Sequence, residues 1–184
     1  MVSVVPAHWT DGTTADCDVI GTRCREVGAT LVIDGCQSVG AIPFDVRKVQ
    51  PDFLIVPTYK WMMGPYGYGF MYVAKKYHNG TPLEETWLGR EGSETFSNLV
   101  NYRPEYRVGA TRYDMGERSS HTLLPMAVAA LEQIQTWGVH NIAERISSIV
   151  DEIAEAATKK GYQAVAKAHR SQHMVGLRHP GGIP

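Results

Sequence analysis

Short apolar runs alternate with longer amphipathic stretches along the first part of the chain. Residues 2–5, 31–33, 53–56 and 67–73 have the length and the apolar character of buried strands. Between the first two runs, apolar side chains recur every three or four positions from about residue 15 to residue 27, and Gly28 follows where a helix usually ends. One helical turn before Pro51 separates the next two runs. This alternation predicts an α/β domain with a mostly parallel sheet.

The pattern changes after residue 73. Residues 74–118 show no sustained period, because turn residues such as Asn79, Gly80 and Pro104 interrupt it, and a stretch of this kind is usually functional or forms an interface arm. Residues 123–137 predict a helix whose apolar face carries Leu124, Val128, Leu131 and Ile134, and a second long helix follows up to Gly161. Two short strands are predicted at 162–165 and 174–177. We expect the basic residues around the last strand to be solvated, and these are His169, Arg170, His173 and Arg178.

A lysine with unusual neighbours follows the third strand. Lys60 lies just past the end of the run 53–56, where open α/β sheets bind their ligands. The neighbouring Tyr59, Trp61, Met62 and Met63 disfavour the ammonium form and favour the amine as a nucleophile. Taken alone, the stretch is equally compatible with a loop lysine between core aromatics.

A carboxylate and an amide follow the neighbouring strand. The run 31–33 leads directly into Asp34, and Gln37 lies shortly beyond. Two strand ends therefore offer an acid and an amine. Pyridoxal phosphate enzymes need this pair, since a lysine holds the aldehyde as a Schiff base and an aspartate keeps the ring nitrogen protonated.

The combined motifs carry a family resemblance. Asp34-x-x-Gln37-Ser38, then Tyr59-Lys60-Trp61 and Gly64-Pro65-x-Gly67-x-Gly69, resemble the class V aminotransferase family of pyridoxal phosphate-dependent enzymes. That family includes cysteine desulfurases, isopenicillin N epimerase-like proteins and kynureninases. The resemblance extends over nearly the whole chain. It implies half of a fold type I cofactor-binding large domain at residues 1–137, followed by the start of a small α+β C-terminal domain at residues 138–184.

The resemblance also implies roles for individual residues. Lys60 matches the lysine that forms the Schiff base and moves the α-proton, Asp34 the partner of the pyridine nitrogen, and Gln37 the donor to the phenolic oxygen of the ring. Tyr59 takes the position of a histidine or tyrosine that binds the cofactor phosphate. Many relatives have a serine at the position of Pro57, and Thr58 is the candidate to replace its phosphate contact.

Further candidates come from two loops. The loop carrying His8 and Trp9 approaches the cofactor in the resembled fold, although packing of Trp9 and solvation of His8 is the alternative. A second loop has Glu117 where relatives have a threonine that reaches the phosphate bound by the partner subunit. Ser119 or Arg118 is the remaining candidate for that contact, and the resemblance thus implies a homodimer.

No glycine-rich or serine-rich loop that would cradle a phosphate precedes Asp34. In relatives that loop, and the aromatic that stacks on the ring, come from a preceding half of the large domain. We therefore expect this chain to be an internal fragment of such an enzyme with a half-built cofactor site.

Composition narrows the classes of partner. The chain has 184 residues, of which 43% are hydrophobic and 20% charged, which is typical of a soluble globular protein. Its formal net charge of −1 and its lack of a basic cluster argue against nucleic acid and anionic membranes, so we expect a small amino-acid substrate. The absence of a signal peptide or a long apolar run predicts a cytoplasmic protein. Cys17, Cys24 and Cys36 lack metal-ligand spacing, which predicts reduced thiols and no metal site.

Three functions are compared on this basis. The first is a pyridoxal phosphate-dependent transformation of an amino acid, whose type stays open among transamination, epimerisation, elimination, desulfuration and hydrolysis. The second is a non-catalytic fragment or assembly module that dimerises without cofactor. A dinucleotide-binding domain is rejected, because the spacing Gly64-x-x-Gly67-x-Gly69 reverses the usual fingerprint and opens a strand rather than a helix.

Overall fold

Four strands form the main sheet of the computed structural model, which describes residues 1–98, 100–101 and 103–182. They are β1 (Val2–Val4), β2 (Leu31–Asp34), β3 (Phe53–Pro57) and β4 (Gly69–Val73), and they lie in that order across the sheet. The first three are parallel, and β4 turns back antiparallel to β3. The predicted α/β architecture with a mostly parallel sheet is confirmed.

Two helices cover one face of this sheet. The helix α1 (Cys17–Glu26) begins after Asp16, whose carboxylate accepts the backbone N–H of Val19, and α2 (Val46–Val49) precedes β3. The core between the helices and the sheet consists of Cys17, Cys24, Leu31, Ile33, Val49, Leu54 and Val56. Burial raises the pKa of the Cys17 thiol to about 11, so this thiol stays protonated and packs as a small apolar side chain.

The irregular segment after β4 lies against the other face. It contains short 3₁₀ helices at Lys75–Tyr77, Trp87–Gly89, Phe96–Asn98 and Ala110–Tyr113. The ring of Phe53, which points away from the α1 side, contacts Tyr77 at 4.9 Å and Tyr113 at 6.5 Å between ring centroids. The Tyr113 hydroxyl also donates to the Tyr77 carbonyl. The segment is therefore held on the sheet by an aromatic cluster at β3.

Two long helices follow, as the sequence predicts. The helices α3 (Leu123–Trp137) and α4 (Val139–Lys159) are separated only by Gly138, which has a left-handed φ of 79°. The predicted apolar face of α3 is confirmed at Ile134, which is 4% exposed, but Leu124 and Val128 remain 47% and 43% exposed. The buried residues of this helix are Ala127 and Ile134. In the part of the chain that the structure describes, no helix is long and apolar enough to cross a membrane.

The last described residues form a small sheet beside α4. Its strands β5 (Gln163–Ala164) and β6 (Leu177–Arg178) pair antiparallel. Asp151 of α4 holds the connection between them, since its two carboxylate oxygens accept bonds from Lys167 and Arg170, each at 2.6 Å. The strand predicted at 162–165 is confirmed, the one predicted at 174–177 begins only at Leu177, and the predicted boundary after residue 137 stays a prediction.

The ion pairs of Asp151 give a first testable prediction. Bonds from Lys167 and then Arg170 lower the pKa of the Asp151 carboxyl, so its contribution to stability is present above its unfolded pKa of 3.8 and is lost as pH falls through the lower folded value. We expect Asp151→Asn to lower the melting temperature by a few degrees at neutral pH and to matter less as the pH falls below 3.8. Thermal unfolding followed by circular dichroism measures this. Glu155→Gln, an exposed change on the same helix, is the control, and an equal difference at both pH values would contradict the prediction.

Candidate functional site

The two residues that carry the predicted chemistry lie at one edge of the sheet. Asp34 ends β2 and is paired in register with Ile55 of β3. Lys60 follows shortly after Pro57, where β3 ends. Because β2 and β3 are parallel, their carboxyl ends meet at this edge. The structure therefore brings Asp34 and Lys60 to the same edge of the sheet, where β2 and β3 end.

A closed loop presents Lys60. The backbone N–H of Met63 bonds the Lys60 carbonyl at 2.9 Å, and the N–H of Gly64 bonds the Thr58 carbonyl at 2.8 Å. The buried Thr58 hydroxyl oxygen lies 2.7 Å from the Pro65 carbonyl and 2.9 Å from a second carbonyl in the return to β4. Bonds from both ends of the loop thus fix the backbone that carries the lysine.

Gly64 is required by the close packing of this loop. A Cβ atom at Gly64 would lie 2.6 Å from the Thr58 Cβ, a distance that forces the loop apart. We expect Gly64→Ala to lower the free energy of unfolding by about 1–3 kcal/mol, the usual cost of overpacking. Chemical denaturation measures the change. Gly181→Ala is the matched control, because its nearest neighbouring atom would be 3.4 Å away, and equal stability of Gly64→Ala and the parent chain would contradict the prediction.

The Lys60 amine has no competing hydrogen-bond or ion-pair partner among the residues that the structure describes. Its Nζ lies 5.7 Å from the ring centroid of Tyr59, and no hydrogen bond or ion pair engages it among the described residues. The Tyr59 ring stacks in turn on Tyr66, with centroids 4.4 Å apart and planes 14° from parallel. Lys60 is therefore a half-buried residue beside a stacked pair of tyrosines, and its amine is available for reaction.

Asp34 and Gln37 each use one side-chain oxygen to accept a hydrogen bond from the protein. Asp34 Oδ1 accepts the backbone N–H of Cys36 at 2.9 Å, and Gln37 Oε1 accepts the indole N–H of Trp61 at 3.2 Å. Within the described parts of the chain, Asp34 Oδ2 and the Gln37 amide nitrogen carry no such bond. The protein thus orients both side chains and leaves one polar atom of each for a ligand.

A cavity of about 890 Å³ has the strands β3 and β4 on one side and the loop before α3 on the other. Its lining includes Tyr59, Tyr68, Arg118 and Ser119, but not Lys60. The structure therefore brings together Tyr59 and Ser119, two of the residues that the sequence predicts to contact the cofactor phosphate. Both come from the same chain in this arrangement, and their phosphate contacts stay predictions.

The remaining candidates lie in other surroundings. The Thr58 hydroxyl bonds inside the Lys60 loop, and its role at the phosphate stays a prediction. Trp9 is 69% exposed, and His8 lies beside it with its Nδ1 2.7 Å from the Thr10 hydroxyl. No hydrogen bond or ion pair joins His8 or Trp9 to Asp34 or Lys60 in the described regions.

His173 is a correction to the sequence prediction. The sequence pattern predicts a solvated side chain, but His173 is 5% exposed and contacts both Gln37 after β2 and Trp61 in the Lys60 loop. Its Nε2 bonds the Gln37 carbonyl, and its ring meets Trp61 edge to face with centroids 4.6 Å apart. The two hydrogen-bonded residues are 136 positions apart in the chain, so no local pattern could reveal the contact.

The donor set at this edge fits pyridoxal phosphate. Lys60 offers an amine for the aldehyde, Asp34 a carboxylate oxygen for the ring nitrogen, and Gln37 an amide N–H for the phenolic oxygen. No cluster of His, Cys, Asp and Glu suited to a metal ion occurs in residues 1–98, 100–101 and 103–182.

Comparison with known proteins adds two findings from sequence. The family model described as "Aminotransferase class-V" matches residues 1–182. An aminotransferase of Bacillus subtilis (strain 168), named "Uncharacterized aminotransferase YcbU", is 29% identical over 181 residues, which cover 97% of this chain and 46% of that protein.

Solved structures give the same picture at the level of the fold. The apo cysteine desulfurase of Thermococcus onnurineus NA1 superposes with a TM-score of 0.71 at 19% identity, covering 100% of this chain and 45% of that one. The pyridoxamine-pyruvate aminotransferase of Mesorhizobium loti gives a TM-score of 0.72 at 17% identity, with coverages of 99% and 45%. The chain therefore spans less than half the length of the proteins that it resembles.

Proposed function

This chain belongs to the class V aminotransferase family, and from that membership we propose that it binds pyridoxal 5'-phosphate on Lys60 and acts on a small amino acid. Its fold is that of the fold type I enzymes that depend on this cofactor, of which it forms less than half. We therefore propose for this chain the kind of activity that its full-length relatives have.

One observation carries the proposal. The Lys60 amine, free of ion pairs among the described residues, shares a sheet edge with Asp34, whose Oδ2 has no bond in the same regions. A lysine with a purely structural role at this position would be stabilised by an ion pair with a nearby carboxylate. The arrangement instead keeps the nucleophile and the acid apart, as a ligand that needs both would require.

The roles of the residues follow from their atoms. When bound, pyridoxal phosphate supplies an electron sink for the bonds at the α-carbon of an amino acid. Lys60 Nζ would hold the cofactor at its aldehyde carbon and, once the amino group of the substrate had replaced it there, would be free to remove and return the α-proton. Asp34 would keep a proton on the ring nitrogen, and the Gln37 amide nitrogen would donate to the phenolic oxygen.

The other predicted contacts complete this proposal. Tyr59 binds the phosphate, with Thr58 as a further candidate, and Ser119 or Arg118 reaches the phosphate held by the partner subunit. His8 and Trp9 remain candidates at the side of the site. The homodimer and the contribution of a partner subunit to the phosphate belong to the proposal as well. The three unpaired cysteines support a reducing compartment, and we propose the cytoplasm.

The second candidate is an assembly module that dimerises without cofactor. Exposed apolar side chains favour it, since Leu124, Met126 and Val128 on α3 and Phe70 and Met71 on β4 are all at least 40% exposed. Size-exclusion chromatography, combined with a visible absorbance titration by pyridoxal phosphate, separates the two functions. Saturable binding with a visible band supports the enzyme, and a stable oligomer that gives no band supports the assembly module.

A further inference from the structure

The segment after α4 reaches the Lys60 loop through one buried cluster. His173 contacts Trp61 of this loop. Both of its ring nitrogens have partners, the Gln37 carbonyl at Nε2 and the Ser171 hydroxyl at Nδ1. Ser171 is itself 2% exposed. A buried polar cluster in which every member is bonded specifies one arrangement of the residues around it.

The bonds fix the protonation of the His173 ring. A carbonyl oxygen only accepts, so Nε2 must carry the proton that it donates to Gln37, and Nδ1 can then accept from the Ser171 hydroxyl. Burial lowers the pKa of His173, which favours this neutral form, although the bond to Gln37 opposes the shift in part. The ring is thus locked in one tautomer and one orientation.

The Trp61 indole fixes the amide of Gln37. An indole N–H can only donate, so the atom of the Gln37 amide that faces it must be the oxygen. The amide nitrogen therefore points away from Trp61. The His173 ring packs edge to face on Trp61 and donates to the Gln37 carbonyl. The backbone and the side-chain amide of Gln37 are therefore both held by this pair of residues.

We infer that Trp61 and His173 are positioning residues, which lock the Gln37 amide with its NH₂ group turned away from the indole and available to the cofactor ring. The cofactor part of this inference rests on the proposed function. A displaced His173 releases the Trp61 ring and the Gln37 backbone together, so the C-terminal segment influences the site that Lys60 and Asp34 form.

The first test uses the chain without cofactor. Amide and indole hydrogen exchange, followed by nuclear magnetic resonance, reports whether the Trp61 N–H is bonded. We expect Gln37→Ala and His173→Phe each to speed exchange of the Trp61 indole proton by about ten-fold. His173→Phe keeps an aromatic ring beside Trp61, and His173→Gln is the second variant in case the first fails to fold.

The control for this test is His169→Gln, an exposed histidine of the same segment. It should leave the exchange of the Trp61 proton unchanged. If the Trp61 proton exchanges equally fast in the parent chain and in both Gln37→Ala and folded His173 variants, the positioning unit does not exist. This outcome is independent of whether the chain binds any cofactor.

The second test measures the dissociation constant of pyridoxal phosphate in a double-mutant cycle. Trp61→Phe keeps an aromatic ring but removes the indole N–H, and we expect it to weaken binding about five-fold, the value of one hydrogen bond. In the Gln37→Ala background the same change should have no further effect, because its target is absent. Trp137→Phe, on an exposed tryptophan, is the control.

The two tests separate the inference from the function on which it rests. An additive cycle, in which Trp61→Phe weakens binding equally with and without Gln37, overturns the positioning role. A parent chain that binds no cofactor overturns the proposed function, and the exchange experiment then decides the positioning unit alone.

Discussion

Lys60→Ala is expected to abolish covalent attachment of pyridoxal phosphate and to slow exchange of amino-acid α-protons by about 10²–10⁴-fold. The substitution removes the only amine that the structure presents at this sheet edge among its described residues, with its Nζ near the Tyr59 ring and unpaired there. Loss of α-proton exchange from amino acids in deuterated water, followed by nuclear magnetic resonance, measures the rate. This readout does not depend on which reaction type the enzyme completes.

The control for Lys60→Ala is Lys75→Ala. Lys75 is an exposed lysine in the 3₁₀ turn after β4, and its loss should change neither attachment nor exchange. A Lys60→Ala chain that still exchanges α-protons at the parent rate would mean that another group removes them. The role of Lys60 as base would then be withdrawn.

Asp34→Asn should keep the fold and the attachment to Lys60 but slow α-proton exchange by about 10²–10³-fold. An asparagine oxygen can still accept the Cys36 N–H at 2.9 Å, so the turn after β2 is preserved. Its amide group, however, carries no negative charge to hold a proton on the ring nitrogen, and the ring becomes a weaker electron sink. The absorbance titration and the exchange rate, measured on the same sample, separate the two effects.

The outcome that contradicts this second prediction is a parent-like exchange rate in a folded Asp34→Asn chain. Asp18→Asn, an exposed carboxylate on α1, is the matched control and should leave the rate unchanged. Loss of both attachment and exchange would instead show that Asp34 holds the cofactor in place, rather than tuning its ring alone.

Local patterns were sufficient for the elements that position the two main residues. The apolar runs predicted β2 and β3. Because these two strands are parallel neighbours, Asp34 and Lys60 lie at one edge of the sheet however the rest of the chain packs. The ends of α3 at Leu123 and Trp137 also follow from local signals, the turn residues before it and Gly138 after it. These features depend on residues close together in sequence.

The features that the sequence did not predict depend on distant contacts. His173 reaches Gln37 across 136 positions, and nothing near His173 distinguishes it from the solvated His169. The face of α3 that is buried depends on which elements pack against it, so a periodic pattern alone placed Leu124 and Val128 inside. The bonds that close the Lys60 loop through Thr58 likewise depend on a return path of the backbone that no pattern specifies.

The central claim is that Lys60 is the cofactor lysine, and one measurement tests it most directly. The purified chain is mixed with pyridoxal phosphate, treated with borohydride to make the attachment permanent, digested, and examined by mass spectrometry. The account predicts a single modified peptide that carries the label on Lys60 and is missing from Lys60→Ala. A label on Lys75 or Lys76, or an unlabelled Lys60 in a chain that binds the cofactor, would contradict it.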